Sequence, residues 1–270
     1  MRLILSALLI AGSLLAQDFT TRYDVNIGMF GKVGYADLIL KEGSGSYEIT
    51  LTAKTTGTVA TLTQNRVETF ISKGKTIDGK YIPEVFFKIR TTDSKEKISK
   101  YIFNHKARTV TLEKKTTETI NGTKFDVTSF TIVPTHEIEI SESSEILENY
   151  IGVDILSSYL NTSTAMKASN KDYKLVAIGA KNDENNITLS FLDTVQQEEA
   201  KKCFSTDIEN VYNLHVEPID KDETTVDILI AYDNDGLIKE ALLGEIFWVG
   251  KVKANRVQHN LDSQSISIQE

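Results

Sequence analysis

Three parts of the sequence carry residue types that do chemistry in other proteins, and the first is a His–Glu cluster. His136, Glu137 and Glu139 follow one another at strand spacing. Successive side chains of a strand point to opposite faces, so the two carboxylates share a face that the imidazole does not. A metal site would need further ligands from elsewhere in the fold. The pattern predicts a solvated strand end, with no metal bound.

The second is an acidic turn, Asp-Asn-Asp-Gly at 233–236, which resembles part of a calcium loop. The EF-hand frame needs an acid two residues before Asp233 and a Glu six residues after Gly236. Ala231 and Leu242 occupy those two positions. The segment therefore favours a hairpin turn over a cation site.

The third is Cys203, the single cysteine of the chain. A nucleophilic thiol needs a nearby histidine or other cation, and no such neighbour follows from the sequence. Residues 197–204 have the pattern of a short amphipathic helix, which favours Cys203 as a small buried apolar residue. The chain also lacks a Gly-x-Ser-x-Gly elbow, a P-loop and a dinucleotide fingerprint. We therefore expect a non-enzymatic protein with no catalytic residues and no cofactor.

Composition and charge exclude several classes of protein. The chain has 270 residues, 40% of them hydrophobic and 25% charged, which are ordinary globular values. Lys and Arg number 30 against 38 Asp and Glu, for a net charge of -8. Because nucleic-acid binding needs clustered basic residues, this balance predicts no nucleic-acid partner.

The N-terminus has the three parts of a secretory signal peptide. A basic start at Arg2 precedes an apolar run, and Leu14-Leu15-Ala16 forms the cleavage site before Gln17. The run spans about 14 residues, fewer than the roughly 20 that cross a bilayer. We expect residues 1–16 to be a cleaved signal peptide and the mature protein to be periplasmic, with no membrane span after cleavage.

Residues 17–270 show many strands of alternating polarity and few helices. Tyr47, Ile49 and Leu51 alternate with polar residues, and similar runs follow to Val257. Short connections separate them, with hairpin residues at Gly43-Ser44-Gly45, Asp78-Gly79, Asn121-Gly122, Asn182-Asp183 and Asp235-Gly236. The predicted fold is mainly β, a large antiparallel curled sheet or partly closed barrel.

Two short helices are predicted within this sheet. Ser143 and Ser144 precede Glu145, which is typical of a helix N-terminus, and the apolar periodicity continues to Leu160. The second helix is predicted near 196–204. No linker composition divides the chain, so we predict one β-rich domain whose two halves meet near 134–145.

The ordered set of motifs resembles the bacterial exported protein family of unknown function number 3108. The resemblance covers about residues 20–257 and includes a central D-x-L-S helix at 152–160. It rests on these segments: Tyr23–Gly28, Gly31–Ala36, Tyr47–Ile49, Thr55–Gly57, Ile82–Phe86, Gly152–Leu160, Tyr232–Ile238 and Trp248–Val252. In that family a proline often follows the closing turn, whereas Leu237 and Ile238 stand here. The resemblance implies an exported β-rich domain and supplies no catalytic residues.

The function favoured by the sequence is binding of an apolar ligand or lipid inside the curled sheet, in a non-enzymatic periplasmic envelope protein. Aromatic side chains at alternating strand positions are candidates to line such a cavity. These candidates are Tyr47, Phe70, Phe86, Phe103, Phe125 and Trp248. The same side chains would also suit a dry core.

Two alternatives stay open. A structural or interaction module would assist envelope assembly through protein contacts, with an open sheet edge accepting a strand from a partner protein. An enzyme would need ionisable side chains from distant strands to converge, and the sequence does not show such convergence.

Overall fold

A computed structural model describes residues 18–166, 171–180, 184–204, 208, 210–218, 226–233, 236–246 and 250–257. The predicted signal peptide, Trp248 and the predicted turn at Asn182-Asp183 lie outside the described residues. Within this part of the chain, no helix is both long and apolar enough to cross a membrane.

Most of the described chain is strand. The strands are β1 (Phe19–Ile27), β2 (Gly31–Gly43), β3 (Ser46–Thr55), β4 (Val67–Ile77), β5 (Lys80–Thr91), β6 (Lys95–Asn104), β7 (Thr109–Asp126), β8 (Thr131–Ile146), β9 (Tyr173–Ile178), β10 (Glu184–Phe191), β11 (Asn210–Pro218), β12 (Val226–Tyr232), β13 (Ile238–Ile246) and β14 (Gly250–Val257). They form one 14-stranded sheet in the order β8-β7-β6-β5-β4-β3-β2-β1-β14-β13-β12-β11-β10-β9. Every neighbouring pair is antiparallel. The predicted mainly β, antiparallel fold is confirmed.

Short hairpins produce this order. At Asp78 and Gly79 the φ angles are 50° and 71°, and Ser44 and Gly45 have 52° and 75°. Two consecutive positive φ values belong to the tight turns whose twist matches that of paired strands. One predicted turn is wrong: Asn121 lies inside β7, and the chain reverses only after Asp126.

The sheet is strongly curled. β5 and β9 stand ten places apart in the strand order, which in a flat sheet would separate them by about 48 Å. Instead, a Cβ atom placed on Gly179, just after β9, would lie 2.2 Å from Cε1 of Phe86 on β5. Lys88 Nζ also donates to the Ala180 carbonyl at 3.3 Å. Among the described residues no strand pairing joins the edge strands β8 and β9, so the curl stops short of a closed barrel.

In the part of the chain that the structure describes, three α-helices and one 3-10 turn interrupt the strands: α1 (Gly57–Leu62), α2 (Ile155–Met166), α3 (Thr194–Lys201) and the 3-10 turn Gly28–Phe30. This is one α-helix more than predicted, because α1 was not foreseen. The helix predicted near 196–204 is confirmed as α3, with a capping box between Asp193 and Gln196.

The predicted helix start at Ser143 is wrong. β8 continues to Ile146, and Ser143 pairs with Lys114 of β7. Pairing with a distant strand overrides the local capping signal, and α2 begins only at Ile155. Residues 134–145, the predicted meeting point of two halves, lie within β8.

Replacing Gly179 tests the contact between β5 and β9. We expect Gly179→Ala to lower the free energy of unfolding by about 2 kcal/mol more than Gly45→Ala does. Both glycines have positive φ, but a Cβ on Gly45 meets nothing within 4 Å, whereas one on Gly179 meets Phe86. Urea unfolding of the two variants measures the difference. Equal losses would show that the β5–β9 approach is loose.

Candidate functional site

The inner face of the sheet, defined as the face that carries α2, is the candidate site. On β2 and β3 this face presents Leu38 opposite Leu51 and Leu40 opposite Ile49. On the C-terminal strands, Ile228 lies between Leu214 of β11 and Leu243 of β13. Tyr159 of α2 packs against buried clusters from both halves of the sheet. The curl therefore gathers apolar side chains from distant strands around one interior.

Four of the six aromatic side chains predicted to line a cavity meet on this face. Tyr47, Phe86 and Phe103 are buried in one cluster, and Phe70 packs at its border, partly exposed. Phe86 stacks on Phe70 with ring centroids 6.4 Å apart. Phe125 lies elsewhere, 58% exposed near the tip of the β7–β8 hairpin. Trp248, the sixth, is outside the described residues.

Asp154 fixes the position of α2 beneath this cluster. Its carboxylate is fully buried and accepts hydrogen bonds from Ser72 Oγ at 2.7 Å and from the Leu156 and Ser157 backbone N–H groups at 2.8 and 3.0 Å. Burial raises the pKa of Asp154, and the bonds from Ser72 and Ser157 act in the opposite direction. Sequence reasoning missed Asp154 as an anchor because its partner Ser72 lies on a distant strand.

Asp154 ends a segment that we call the strap, residues 147–154. The Leu147 N–H donates to the Val110 carbonyl of β7 at 3.0 Å. Near the other end, the Ile178 N–H of β9 donates to Val153 at 3.1 Å. The strap therefore connects β7 with the edge strand β9 across the gap that the curled sheet leaves.

The middle of α2 is held by polar groups. Asn161 donates to the Tyr81 carbonyl and accepts from the Tyr81 N–H, at 3.0 and 2.9 Å. The Ile238 N–H donates to the Tyr159 hydroxyl at 3.4 Å, and the Tyr23 hydroxyl donates to the Ile238 carbonyl at 3.0 Å. Burial raises the pKa of Tyr23 and of Tyr159, so these two side chains stay neutral hydrogen-bonding groups.

Part of the inner face is left accessible. Six apolar side chains that face inward by strand register are only partly buried. They come from both halves of the sheet: Ala36, Leu51, Phe70, Leu214, Ile228 and Ala241. All six pack against the buried clusters and keep part of their apolar surface exposed.

A basic pocket of about 410 Å³ borders the same face. Its charged lining residues are Arg66, Arg90, Lys95, Lys97 and Glu118. Lys95 pairs with Glu118. Lys97 lies opposite Arg90 in the strand register and makes no ion pair with a described residue.

Carboxylates balance most of the other charges near this pocket. Arg90 Nε donates to Glu68 at 2.6 Å, and Arg66 binds the same oxygen. Burial raises the pKa of Glu68, but the hydrogen bonds from the two arginines outweigh it and lower that pKa overall. Asp93 at the rim is held by Asn65. Lys97 is therefore the cation best placed to meet an anionic ligand.

The residues whose types suggested chemistry in the sequence make local structural contacts or lie exposed. His136 Nδ1 lies 2.6 Å from the Asn121 side-chain oxygen on the exposed hairpin, and Asp233 accepts from the Leu237 N–H at 2.9 Å in a turn. Cys203 is exposed, which contradicts its predicted burial. Cys203 follows the end of α3, whose buried positions are Gln197 and Ala200. No group of three potential metal ligands occurs among the described residues.

The fold defines an open, curled antiparallel sheet with an internal helix. No family model matches the chain, and no curated protein matches its sequence. A solved structure with some similarity is a beta-barrel-like protein of a domain of unknown function, DUF1849, from Brucella abortus. It is 12% identical over 89% of this chain and 96% of that chain, with a TM-score of 0.41.

The pH dependence of stability tests the role of Asp154. Its pKa is higher in the folded than in the unfolded chain, so the folded state binds the extra proton and stability falls as pH rises above about 4. We expect Asp154→Asn to abolish this contribution, which is about 1.4 kcal/mol for each pKa unit. Urea unfolding at pH 4.5 and 7.5 measures the difference between the variant and the wild type.

Ser72→Ala is the matched control for this experiment. It removes a hydrogen bond that lowers the pKa of Asp154 but keeps the carboxyl group. We therefore expect stability to fall further between these two pH values than it does in the wild type. A difference in stability between Asp154→Asn and wild type that is the same at both pH values would contradict a raised pKa for Asp154.

Proposed function

We propose that this chain is a non-enzymatic protein of the cell envelope that holds an apolar ligand or lipid on the inner face of its curled sheet. One observation carries the proposal: partly buried apolar side chains from both halves of the sheet, among them Leu51 and Leu214, face the same interior. Concave sheets with an apolar lining are the usual containers for small apolar ligands.

The pocket at Lys97 supports a ligand with an acidic end. Lys97 lies opposite Arg90, and the next inward residue of β5, Lys88, lies opposite Phe70. Two residues along a strand span about 7 Å, so an acid group at Lys97 would leave its hydrocarbon beside Phe70. This arrangement suits a fatty acid or another amphiphile with one negative charge.

The envelope location rests on the N-terminal sequence. The basic start, the apolar run and the small residue Ala16 are typical of a signal peptide. We expect N-terminal sequencing of the protein recovered from the periplasm to begin at or within a few residues of Gln17. Recovery of the whole chain in the cytoplasm with Met1 or Arg2 at its start would contradict export.

Binding of a fluorescent fatty acid tests the proposed ligand surface. We expect Leu214→Gln to weaken binding about tenfold, because the amide must lose its water where the hydrocarbon lies. Val176→Gln is the matched control: Val176 is 38% exposed and lies on the opposite face of the sheet from the inward Leu175. Fluorescence titration gives the dissociation constants, and circular dichroism confirms the fold. Equal weakening by both variants would argue against the inner face.

The variant Lys97→Gln tests the contribution of the ligand's acidic end separately from that of its hydrocarbon. We expect this variant to weaken binding of dodecanoate by several-fold and to leave binding of dodecanol unchanged, because only the acid carries a charge at neutral pH. Competition with the fluorescent fatty acid measures both. Equal effects on the acid and the alcohol would remove Lys97 from the proposal while leaving the apolar surface in place.

A further inference from the structure

The β7–β8 hairpin projects from the body of the sheet. β7 pairs with β6 only as far as Glu118, opposite Lys95. Residues 119–126 pair with β8 alone, and at about 3.4 Å per residue they extend roughly 27 Å beyond β6. We call residues 119–138 the arm. β8 is one edge of the whole sheet.

The outer face of this hairpin carries large apolar side chains that are exposed. Val110 and Leu112 of β7 are buried on the inner face, so strand alternation places the odd residues of β7 and the even residues of β8 on the outer face. Five large apolar side chains there are between 58% and 72% exposed. They are Phe125, Ile132, Ile138, Ile140 and Ile146. Soluble monomers rarely leave so many large apolar side chains uncovered on one face, and interaction sites commonly do.

The backbone of β8 offers an open edge beside these apolar side chains. The Thr119 N–H of β7 donates toward β6, to Ser94, and the Leu147 N–H donates toward β7, to Val110. Alternate residues of an antiparallel strand direct both backbone groups to the same side. With the unbroken register of β7 and β8, the even residues of β8 direct N–H and C=O away from β7. From His136 to Ile146 these groups pair with no described strand.

Pro134 marks where this open edge begins. Pro134 occupies an even position of β8, where the backbone N–H of any other residue would point away from β7. Proline has no N–H, so this outward donor is missing. Proline is tolerated in a sheet only at such edge positions. It leaves the pairing with β7 intact and blocks pairing on the other side. The open stretch therefore starts after Pro134 and runs toward the body of the sheet.

The charge along β8 indicates which strand would fit. Glu142 and Glu145 are neutralised by Lys115 and Lys114 of β7, at 2.9 and 3.0 Å. Glu139 lies opposite another carboxylate, Glu118. Neither Glu137 nor Glu139 makes an ion pair with a described residue. β8 itself contains no Lys or Arg.

We propose that the edge of β8 binds an extended segment of a partner protein in which basic and apolar residues alternate. That segment adds a fifteenth strand beside residues 136–146. Its Lys or Arg side chains meet Glu137 and Glu139 on the inner face, and its apolar side chains cover Ile138 and Ile140 on the outer face. β7 already uses the same Lys–Glu chemistry on the other side of β8.

A second copy of the chain is a poorer occupant of this edge. Pairing β8 with another β8 would place Glu137, Glu139, Glu142 and Glu145 of both copies side by side, with His136 as the only basic residue. Like charges across neighbouring strands destabilise a sheet. Charge complementarity therefore favours a basic segment of another protein.

A labelled peptide of about ten alternating Lys and Val residues tests the proposal on the full-length protein, and a Glu–Val peptide of the same length is the control. We expect the Lys–Val peptide to bind, with affinity that falls as salt rises. Amide exchange should then slow at Ile138, Ile140 and Glu142, whose N–H groups point outward. Equal binding of the Glu–Val peptide, or no slowing at these amides, would overturn the proposal.

Two variants locate the site. Ile140→Pro removes an outward N–H and should weaken peptide binding at least tenfold without disturbing the β7 pairing. Glu137→Lys/Glu139→Lys should weaken it similarly through charge alone. The matched control, Glu198→Lys/Glu199→Lys on α3, makes the same change in net charge far from β8 in the sequence and should bind as the wild type does.

Three results would overturn the assignment. The first is wild-type affinity in both edge variants. The second is a dimer in sedimentation that Ile140→Pro dissociates, which would identify a second copy as the occupant. The third is binding of the arm to phosphatidylcholine vesicles together with no peptide binding, which would identify a membrane instead.

Discussion

The buried carboxylate of Asp154 is the interaction on which the curled shape depends. It accepts a hydrogen bond from Ser72 on β4 while the adjoining Val153 accepts one from Ile178 on β9. One short segment thereby joins two strands that hydrogen bonds of the sheet leave far apart. Removing a carboxyl group from water is costly, and several converging donors offset that cost. The donors come from both β4 and the first turn of α2, so the carboxylate is satisfied only when the curl and the helix form together.

The curl explains why the two faces of the sheet differ. On the inner face, α2 and the strap cover Phe86 and its neighbours, whereas Leu51 and Leu214 stay partly accessible. The interior thus has a packed part, which stabilises the fold, and a part whose apolar side chains stay partly exposed. The two edges differ for the same reason. The strap pairs with β9, so the edge that curls inward is covered and the β8 edge, which projects outward, is not.

Alternation of polarity predicted most of the sheet, because it is a local signal that the strands obey. Leu38 and Leu40, or Ile49 and Leu51, face inward as their spacing requires. The prediction of a helix starting at Ser143 is wrong. A capping residue is also a local signal, but the pairing of β8 with β7 provides more hydrogen bonds than one cap does. Asp154 was not recognised as an anchor: its partner Ser72 is 82 positions away, and no spacing rule links a polar residue to one so distant.

The same limit applies to Phe125, which was grouped with the inner aromatics because it also alternates. Alternation shows that a side chain lies on one of two faces, but not which face is covered. Along β7 the even residues Val110 and Leu112 are buried and the odd residue Phe125 is exposed. Which face is covered depends on the neighbouring strands. The pairing of β7 with β6 ends at Glu118, so Phe125 lies in the part of β7 that extends beyond β6. The ring of Phe125 contacts that of Phe130 at the tip of the same hairpin, but the described part of the sheet does not bury it, so an apolar side chain at this position costs solubility.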